Sequence, residues 1–179
     1  MKARIFPLLF LCLSMLGCQK ESRLVEEVKD LYGRTISFVD GYTYYCRDSK
    51  VSVDSCLQSG LKMVSYWEDI PCTPCACKLL NRWECEFQEK FGKDVQYLLI
   101  VNTKEGKTLI SELKKMNFSL PVLLYSDKSF GEENKLNVLA RNRTFLLDNN
   151  NKIIAVGEPF GNEALWKVYI SAAKQQKEK

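Results

Sequence analysis

Two cysteines three residues apart carry the clearest chemical signal in this sequence. Cys72 and Cys75 form a C-x-x-C motif within residues 67–75, where an apolar run ends, a short loop follows and a helical pattern begins. The start of a helix offers unpaired backbone N–H groups and the positive end of the helix dipole, and both stabilise a thiolate. We therefore predict that Cys72 is a nucleophile for disulfides. Cys75, one helical turn further, is placed to attack a mixed disulfide formed at Cys72.

The composition excludes several other chemistries. The 179 residues include 8 cysteines but no histidine. Without histidine the chain has no Ser-His or Cys-His catalytic pair and no histidine ligand for a metal. The 26 Lys and Arg residues nearly balance the 22 Asp and Glu residues, so electrostatics give no reason to expect a nucleic acid partner. We expect no dissociable cofactor.

Residues 1–17 have the pattern of a lipoprotein signal peptide. An apolar run at 5–16 follows two basic residues, and Gly17 stands directly before Cys18. The run is too short to cross a membrane, and the Gly17-Cys18 junction resembles the lipobox of bacterial lipoproteins, whose cysteine is acylated and becomes the new N-terminus. A plain signal peptide with an incidental cysteine is the alternative. The prediction is a protein of the cell envelope, lipid-anchored to a bacterial membrane through Cys18 and facing the periplasm.

Hydrophobic periodicity predicts alternating strands and helices around the motif. The predicted strands are 35–39, 61–67, 95–101, 121–125, 143–147 and 152–156, and the predicted helices are 24–32, 75–91, 107–116 and a last one containing 165–172. Residues 42–56 have only weak strand signals. The last two strands flank the turn 148–151 and should pair as an antiparallel hairpin.

This order of elements predicts an α/β fold, with a mixed central sheet flanked by helices on both faces. The predicted organisation is a signal peptide at 1–17, a tether with a short helix at 18–33, one domain at 34–174 and a charged tail at 175–179. Within the long helix, the apolar stripe is expected to contain four residues at four-residue spacing, widened by Leu80. These four residues are Leu79, Trp83, Phe87 and Phe91.

The other cysteines of the exported chain would face an oxidising compartment, where disulfides persist. Cys46 and Cys56 could close a small loop, a question that their Cα separation decides. Cys77 is predicted to be an exposed third thiol on the polar face of the long helix, and Cys85 to be incidental. A zinc site that combines both with the motif is not expected, because eight helical residues rise about 12 Å and zinc-bound sulfurs lie roughly 4 Å apart.

The motif and its surroundings resemble the thioredoxin superfamily, and more closely its exported TlpA/ResA-like branch, which occurs as lipoproteins in Bacteroidetes. The resemblance extends from residue 33 to 171 and rests on the strand 63–67, the Cys72-Thr73-Pro74-Cys75 motif at a helix start, and the hairpin at 144–157. It implies a thioredoxin-like fold and thiol–disulfide exchange with cell-envelope proteins. A dithiol donor would supply the electrons, with Cys72 as nucleophile and Cys75 as resolving cysteine.

Two positions depart from that family's pattern. Asn142 occupies the place of the family's cis-proline, so Asn142 and Arg143 are the expected substrate-facing loop. A non-proline cis bond costs roughly 3 kcal/mol, and we expect a trans peptide at Asn142. Ser65 stands where the family has a buried acid, and Glu68 is expected in the following loop, so the sequence assigns no base.

Three other hypotheses stay open. A purely stabilising Cys72–Cys75 bridge would close almost no loop and so contribute little. A redox-inactive binding or scaffold lipoprotein with the same fold is the main alternative function. A peroxidase is less well supported because the Thr-x-x-Cys arrangement is absent, with Asp69 three residues before Cys72.

Overall fold

The computed structural model describes residues 23–48, 51–58, 60–68, 73–139 and 142–178, without the side chains of residues 73 and 74. The helices are α1 (23–31), α2 (Val53–Gln58), α3 (Thr73–Phe91), α4 (Gly106–Lys115), α5 (Ser129–Glu133) and α6 (Glu163–Lys177). The strands are β1 (Thr43–Tyr45), β2 (Lys62–Glu68), β3 (Gln96–Asn102), β4 (Val122–Tyr125), β5 (Thr144–Leu147) and β6 (Ile153–Val156). Among these residues, no helix is long and apolar enough to cross a bilayer.

The strands form one mixed sheet in the order β1-β4-β3-β2-β5-β6. β2, β3 and β4 are parallel, whereas β1, β5 and β6 are each antiparallel to a neighbour. β3 is almost continuously apolar and buried along its length, as expected for a parallel strand covered on both faces. The predicted α/β fold and the antiparallel β5–β6 hairpin are confirmed.

Helices cover both faces of the sheet. On one face α3, α4 and α6 pack through a cluster that includes Trp83, Leu109 and Trp166. On the other face α1 and α5 pack through a second cluster that includes Leu31 and Phe130. Because the parallel strands all run in one direction, their carboxyl ends lie at one edge of the sheet, which we call the site edge.

The predicted strand 35–39 is wrong apart from one bridge, between Thr35 and Lys152. The side chain of Asn134 forms hydrogen bonds with the backbone N–H and carbonyl of Ser37, the groups that would otherwise pair with a neighbouring strand. Its Oδ1 accepts the N–H of Ser37 at 2.8 Å, and its Nδ2 donates to the carbonyl of Ser37 at 2.9 Å. This pairing to a side chain ends the ladder after a single bridge.

Residues 42–56, with their weak strand signals, form the short strand β1 and the start of α2. The hydroxyl of Ser52 accepts the N–H of Ser55 at 3.2 Å, which satisfies a backbone donor at the helix start. The five-residue helix α5 was not predicted. It is too short to show a helical period in the sequence.

The apolar stripe of α3 differs from the prediction at one position. Leu80, Trp83, Phe87 and Phe91 are buried, but Leu79 is 40% exposed. A helix turns every 3.6 residues, so a strict four-residue spacing drifts around its axis. The spacing from Leu80 through Trp83 and Phe87 to Phe91 instead stays on one face, and it places Trp83 in the core as predicted.

Candidate functional site

The site edge contains the junction between β2 and α3. β2 ends at Glu68 and α3 begins at Thr73, so the predicted nucleophile Cys72 lies in the four residues between them, outside the described part of the chain. Cys75 is on the first turn of α3 and is exposed. Cys75 is therefore an accessible thiol at a helix N-terminus, where the helix dipole favours a thiolate.

Glu68 binds two cations at this edge. Its Oε1 lies 3.1 Å from Lys128 Nζ and its Oε2 lies 3.0 Å from Arg143 Nη2. The hydrogen bond from Lys128, with a further contribution from Arg143, lowers the pKa of the Glu68 carboxyl against the opposing effect of burial. Glu68 was expected in a loop, but it is the last residue of β2 and uses both oxygens to hold neighbouring elements.

Arg143 is held on several sides. Its Nε donates to the carbonyl of Val138 at 3.2 Å, and its guanidinium lies 5.7 Å from the ring centroid of Tyr66. The backbone carbonyl of Arg143 also accepts the N–H of Tyr66 at 2.9 Å. We call Val138, Leu139, Asn142 and Arg143 the β5 lead-in, because they precede β5 and are attached to the end of β2.

Asn142 points into the protein. It is 3% exposed, and its Nδ2 donates to Glu27 Oε2 of α1 at 3.1 Å. The same Glu27 oxygen accepts the N–H of Leu139 at 2.9 Å. The predicted substrate-facing loop of Asn142 and Arg143 therefore presents neither side chain freely to solvent. The expected trans peptide before Asn142 involves residue 141, which is outside the described residues, and stays a prediction.

The centre of the sheet beneath α3 holds hydroxyl groups in place of a carboxylate. Ser65 Oγ lies 3.1 Å from Thr144 Oγ1, and both residues are buried. The hydroxyl of Tyr169 donates to the carbonyls of Thr144 and Gly157, at 3.0 and 2.7 Å. The position at which the thioredoxin pattern has an acid is thus part of a neutral hydrogen-bonded group.

Sequence reasoning missed one acid near these hydroxyls. Glu158 follows β6, and burial raises the pKa of its carboxyl. Burial raises the pKa of both Tyr97 and Tyr169, and the nearby charge of Glu158 adds to that effect. In the sequence, Glu158 is marked only by its position after the apolar strand β6 and Gly157. That position does not indicate that its side chain is buried.

Two tryptophans pack behind the motif. Trp67 and Trp83 meet edge to face with ring centroids 5.2 Å apart, and Trp83 stacks on Phe160 at 4.2 Å. The partly buried Trp67 precedes Glu68 at the end of β2 and packs against α3 through Trp83. These ring contacts join the end of β2 to α3.

The other thiols have distinct surroundings. Cys77 is half-buried, and burial followed by the charge of Glu112 raises the pKa of its thiol. The prediction of an exposed third thiol is therefore wrong, because α4 packs against that side of α3. Cys85 is exposed.

Cys46 and Cys56 are free thiols in this structure. The sulfur of Cys46 donates to the carbonyl of Ser119 at 3.5 Å, and the sulfur of Cys56 lies 3.8 Å from the hydroxyl of Tyr44. Within the described residues, no three thiols or carboxylates gather as metal ligands.

A cavity of about 520 Å³ opens beside Glu68, which forms part of its wall. Its wall includes Tyr66, Lys128, Gly131 and Leu136. Glu68, the last residue of β2, is part of the same wall, so the cavity lies at the site edge.

Several solved structures of other proteins are similar to this fold. No protein-family profile matches the chain, and no curated protein matches it. A candidate thiol-disulfide oxidoreductase from Bacteroides vulgatus is similar in structure with a TM-score of 0.55 and 17% identity, covering 79% of this chain and 96% of that one. A candidate thiol:disulfide interchange protein DsbE from Chlorobium tepidum has a TM-score of 0.53 and 15% identity, over 79% and 97%.

A PrxQ variant from Xylella fastidiosa gives a TM-score of 0.53 at 16% identity, over 79% of this chain and 96% of that one. The chain has a thioredoxin-like fold, and its structural neighbours include thioredoxin-fold thiol–disulfide oxidoreductases. At such low identity these likenesses define the fold alone, and activity depends on the residues of this chain's own site.

Proposed function

We propose that this protein is an exported, lipid-anchored thiol–disulfide oxidoreductase of the TlpA/ResA-like lipoprotein type, acting through Cys72 and Cys75. The observation that carries the proposal is that Cys75 is exposed on the first turn of α3, the element that follows β2, in a thioredoxin-like fold. A structural cysteine would instead be expected in the interior, as Cys56 is.

The exchange proceeds in two balanced steps. The Cys72 thiolate attacks one sulfur of a client disulfide, forms a mixed disulfide and releases the first client thiolate. Cys75 then attacks the Cys72 sulfur, which releases the second client thiolate and leaves a Cys72–Cys75 disulfide. A separate dithiol protein must supply two electrons to restore the reduced pair, and the same steps in reverse would oxidise a client.

The proposed location rests on the N-terminal pattern. Residues 1–17 would act as the signal, and Cys18 would carry the lipid and become the first residue of the mature chain. Clients and donor would then be protein thiols and disulfides of the periplasm or cell envelope. Labelling cells with a palmitate analogue should mark the wild type and leave Cys18→Ala unlabelled.

Insulin reduction with dithiothreitol as electron source tests the activity. The wild type and Cys85→Ser should accelerate precipitation of the insulin B chain, whereas Cys72→Ser should not exceed the uncatalysed rate. Cys85 is a suitable control because it is exposed on the same helix and far from the motif. Wild-type protein that leaves the uncatalysed rate unchanged would contradict the proposal.

One observation favours the scaffold alternative. Ser65 and Thr144 place a pair of buried hydroxyls where the thioredoxin pattern has an acid, and neither hydroxyl is a base for the proton of Cys75. If the dithiol is inert for this reason, the wild type will fail the insulin assay while still capturing partners without a covalent link. The same assay therefore separates the two functions.

A further inference from the structure

The N-terminal helix α1 makes a polar contact with the β5 lead-in that thiol chemistry does not account for. Glu27 Oε2 accepts the N–H of Leu139 at 2.9 Å and the side-chain amide of Asn142 at 3.1 Å. Its other oxygen, Oε1, accepts from Arg23 Nε at 3.0 Å. A single carboxylate from the tether region thus joins α1 to a segment more than a hundred residues away in sequence.

The surroundings of Glu27 favour the ionised form of its carboxyl group. The Glu27 side chain is only 14% exposed. Burial acts to raise the pKa of Glu27, but the hydrogen bonds from Leu139, Asn142 and Arg23 outweigh it and lower the pKa. Hydrogen bonds to an ionised acceptor are stronger and more directional than those between neutral groups.

A second carboxylate holds the opposite end of the lead-in. Arg143 binds Glu68, the last residue of β2, and its carbonyl accepts the N–H of Tyr66. Glu27 therefore fixes the lead-in from the side of α1, and Glu68 fixes it from the side of the strand that leads to Cys72. Asn142, placed between them, is buried with its amide directed to Glu27.

Glu68, which Arg143 binds, is the last residue of β2 and stands four positions before Cys72 in sequence, so the lead-in is attached to the strand that leads to the dithiol. Resting on the function proposed above, we propose that Glu27 is a positioning residue for client proteins, so that α1 belongs to the docking surface as well as to the tether. Loss of Glu27 frees Leu139 and Asn142, and the lead-in no longer presents one fixed surface to the client.

The test compares three variants of the full chain, purified in detergent. Glu27→Ala removes the acceptor, and Glu27→Gln keeps an oxygen that can accept from Leu139 and Asn142. Glu26→Ala is the matched control, because Glu26 is the preceding residue on the same helix and is exposed. Each is assayed with insulin as a protein disulfide and with dithiodipyridine as a small disulfide.

For Glu27→Ala we expect KM for insulin to rise about tenfold, the scale of losing a hydrogen bond to a charged group, with little change in kcat. The rate with dithiodipyridine should stay within about twofold of wild type, since a small disulfide needs no docking surface. Glu27→Gln should recover most of the insulin KM, and Glu26→Ala should match the wild type.

Hydrogen exchange at the Leu139 amide checks the contact itself. The exchange rate should rise in Glu27→Ala and stay low in Glu26→Ala. The inference is overturned if the Leu139 amide is unaffected, if insulin KM is unchanged in Glu27→Ala, or if both disulfides slow equally in that variant. Wild type inactive towards both disulfides would instead contradict the proposed function, which is a distinguishable result.

Discussion

Three carboxyl groups near the site edge respond differently to their surroundings. Glu27 and Glu68 accept hydrogen bonds from cations or amides, which lower their pKa values, whereas burial raises the pKa of Glu158. The first two therefore stabilise the folded chain while they are ionised, and Glu158 is more easily accommodated when protonated. Neither kind of environment can be inferred from the residue type alone.

We expect Glu68→Gln to destabilise the protein by about 1 kcal/mol at pH 7, because Arg143 and Lys128 lose a charged partner. The folded-state pKa of Glu68 is lowered, so its contribution is complete above the unfolded-state pKa and is lost as pH falls through the folded-state value. Urea unfolding at pH 7 and near pH 3 measures this.

The difference between wild type and Glu68→Gln should shrink at the acid pH. Glu132→Gln is the control, since Glu132 is exposed on the neighbouring helix α5. An equal loss of stability for Glu68→Gln at both pH values would show that the charge of Glu68 is not what holds the lead-in.

Thiol reactivity gives a second prediction for single residues. Burial raises the pKa of the Cys56 thiol, which is 3% exposed, whereas Cys85 is exposed. With iodoacetamide at neutral pH, Cys85 should be alkylated much faster than Cys56 in the folded reduced protein. Peptide mass spectrometry reads both rates, and the difference should vanish in urea. Equal rates in the folded state would contradict the packing of α2.

At the level of secondary structure, α5 approaches β2 closely at Gly131. A Cβ at this position would lie 2.5 Å from the hydroxyl oxygen of Tyr66 and 3.0 Å from its Cζ. Tyr66 is 3% exposed and packs on Phe130 with ring centroids 5.4 Å apart. The ring therefore has little freedom to move, and glycine is required here by contact with β2.

Gly131→Ala should lower the free energy of unfolding by about 1–3 kcal/mol, the usual cost of overpacking. Gly106→Ala is the matched control, because a Cβ there meets only Leu124 at 4.0 Å. Chemical denaturation of both variants measures the effect. Gly131→Ala with wild-type stability would mean that α5 does not pack against Tyr66 as described.

The sequence correctly predicted the helices and strands that have a strong hydrophobic period. The prediction failed at residues 35–39, where a polar contact determines the local structure. The strands β2 and β3 and the helices α3 and α4 are within two residues of their predicted ends. Residues 35–39 have the composition of a strand, but the amide of Asn134 binds the backbone of Ser37. That partner is distant in sequence, so no local pattern could report it.

For the whole molecule, the order of strands and helices was sufficient to predict a mixed sheet covered on both faces. The position of Cys75 at the start of α3 also followed from the sequence. The link from Glu27 to Asn142 did not, because it joins residues 115 positions apart that are brought together only by packing of α1 on the finished domain. Periodicity predicts which face is buried, and it does not predict which polar groups meet.

The proposed function requires that Cys72 and Cys75 form a dithiol that exchanges reversibly with other thiols. Equilibration of the full chain with glutathione mixtures, followed by acid quenching and alkylation, counts the thiols at each ratio. We expect one two-electron transition that belongs to Cys72 and Cys75 and is absent in Cys72→Ser. A pair that keeps one state across the whole range of glutathione ratios, in the wild type, would contradict it.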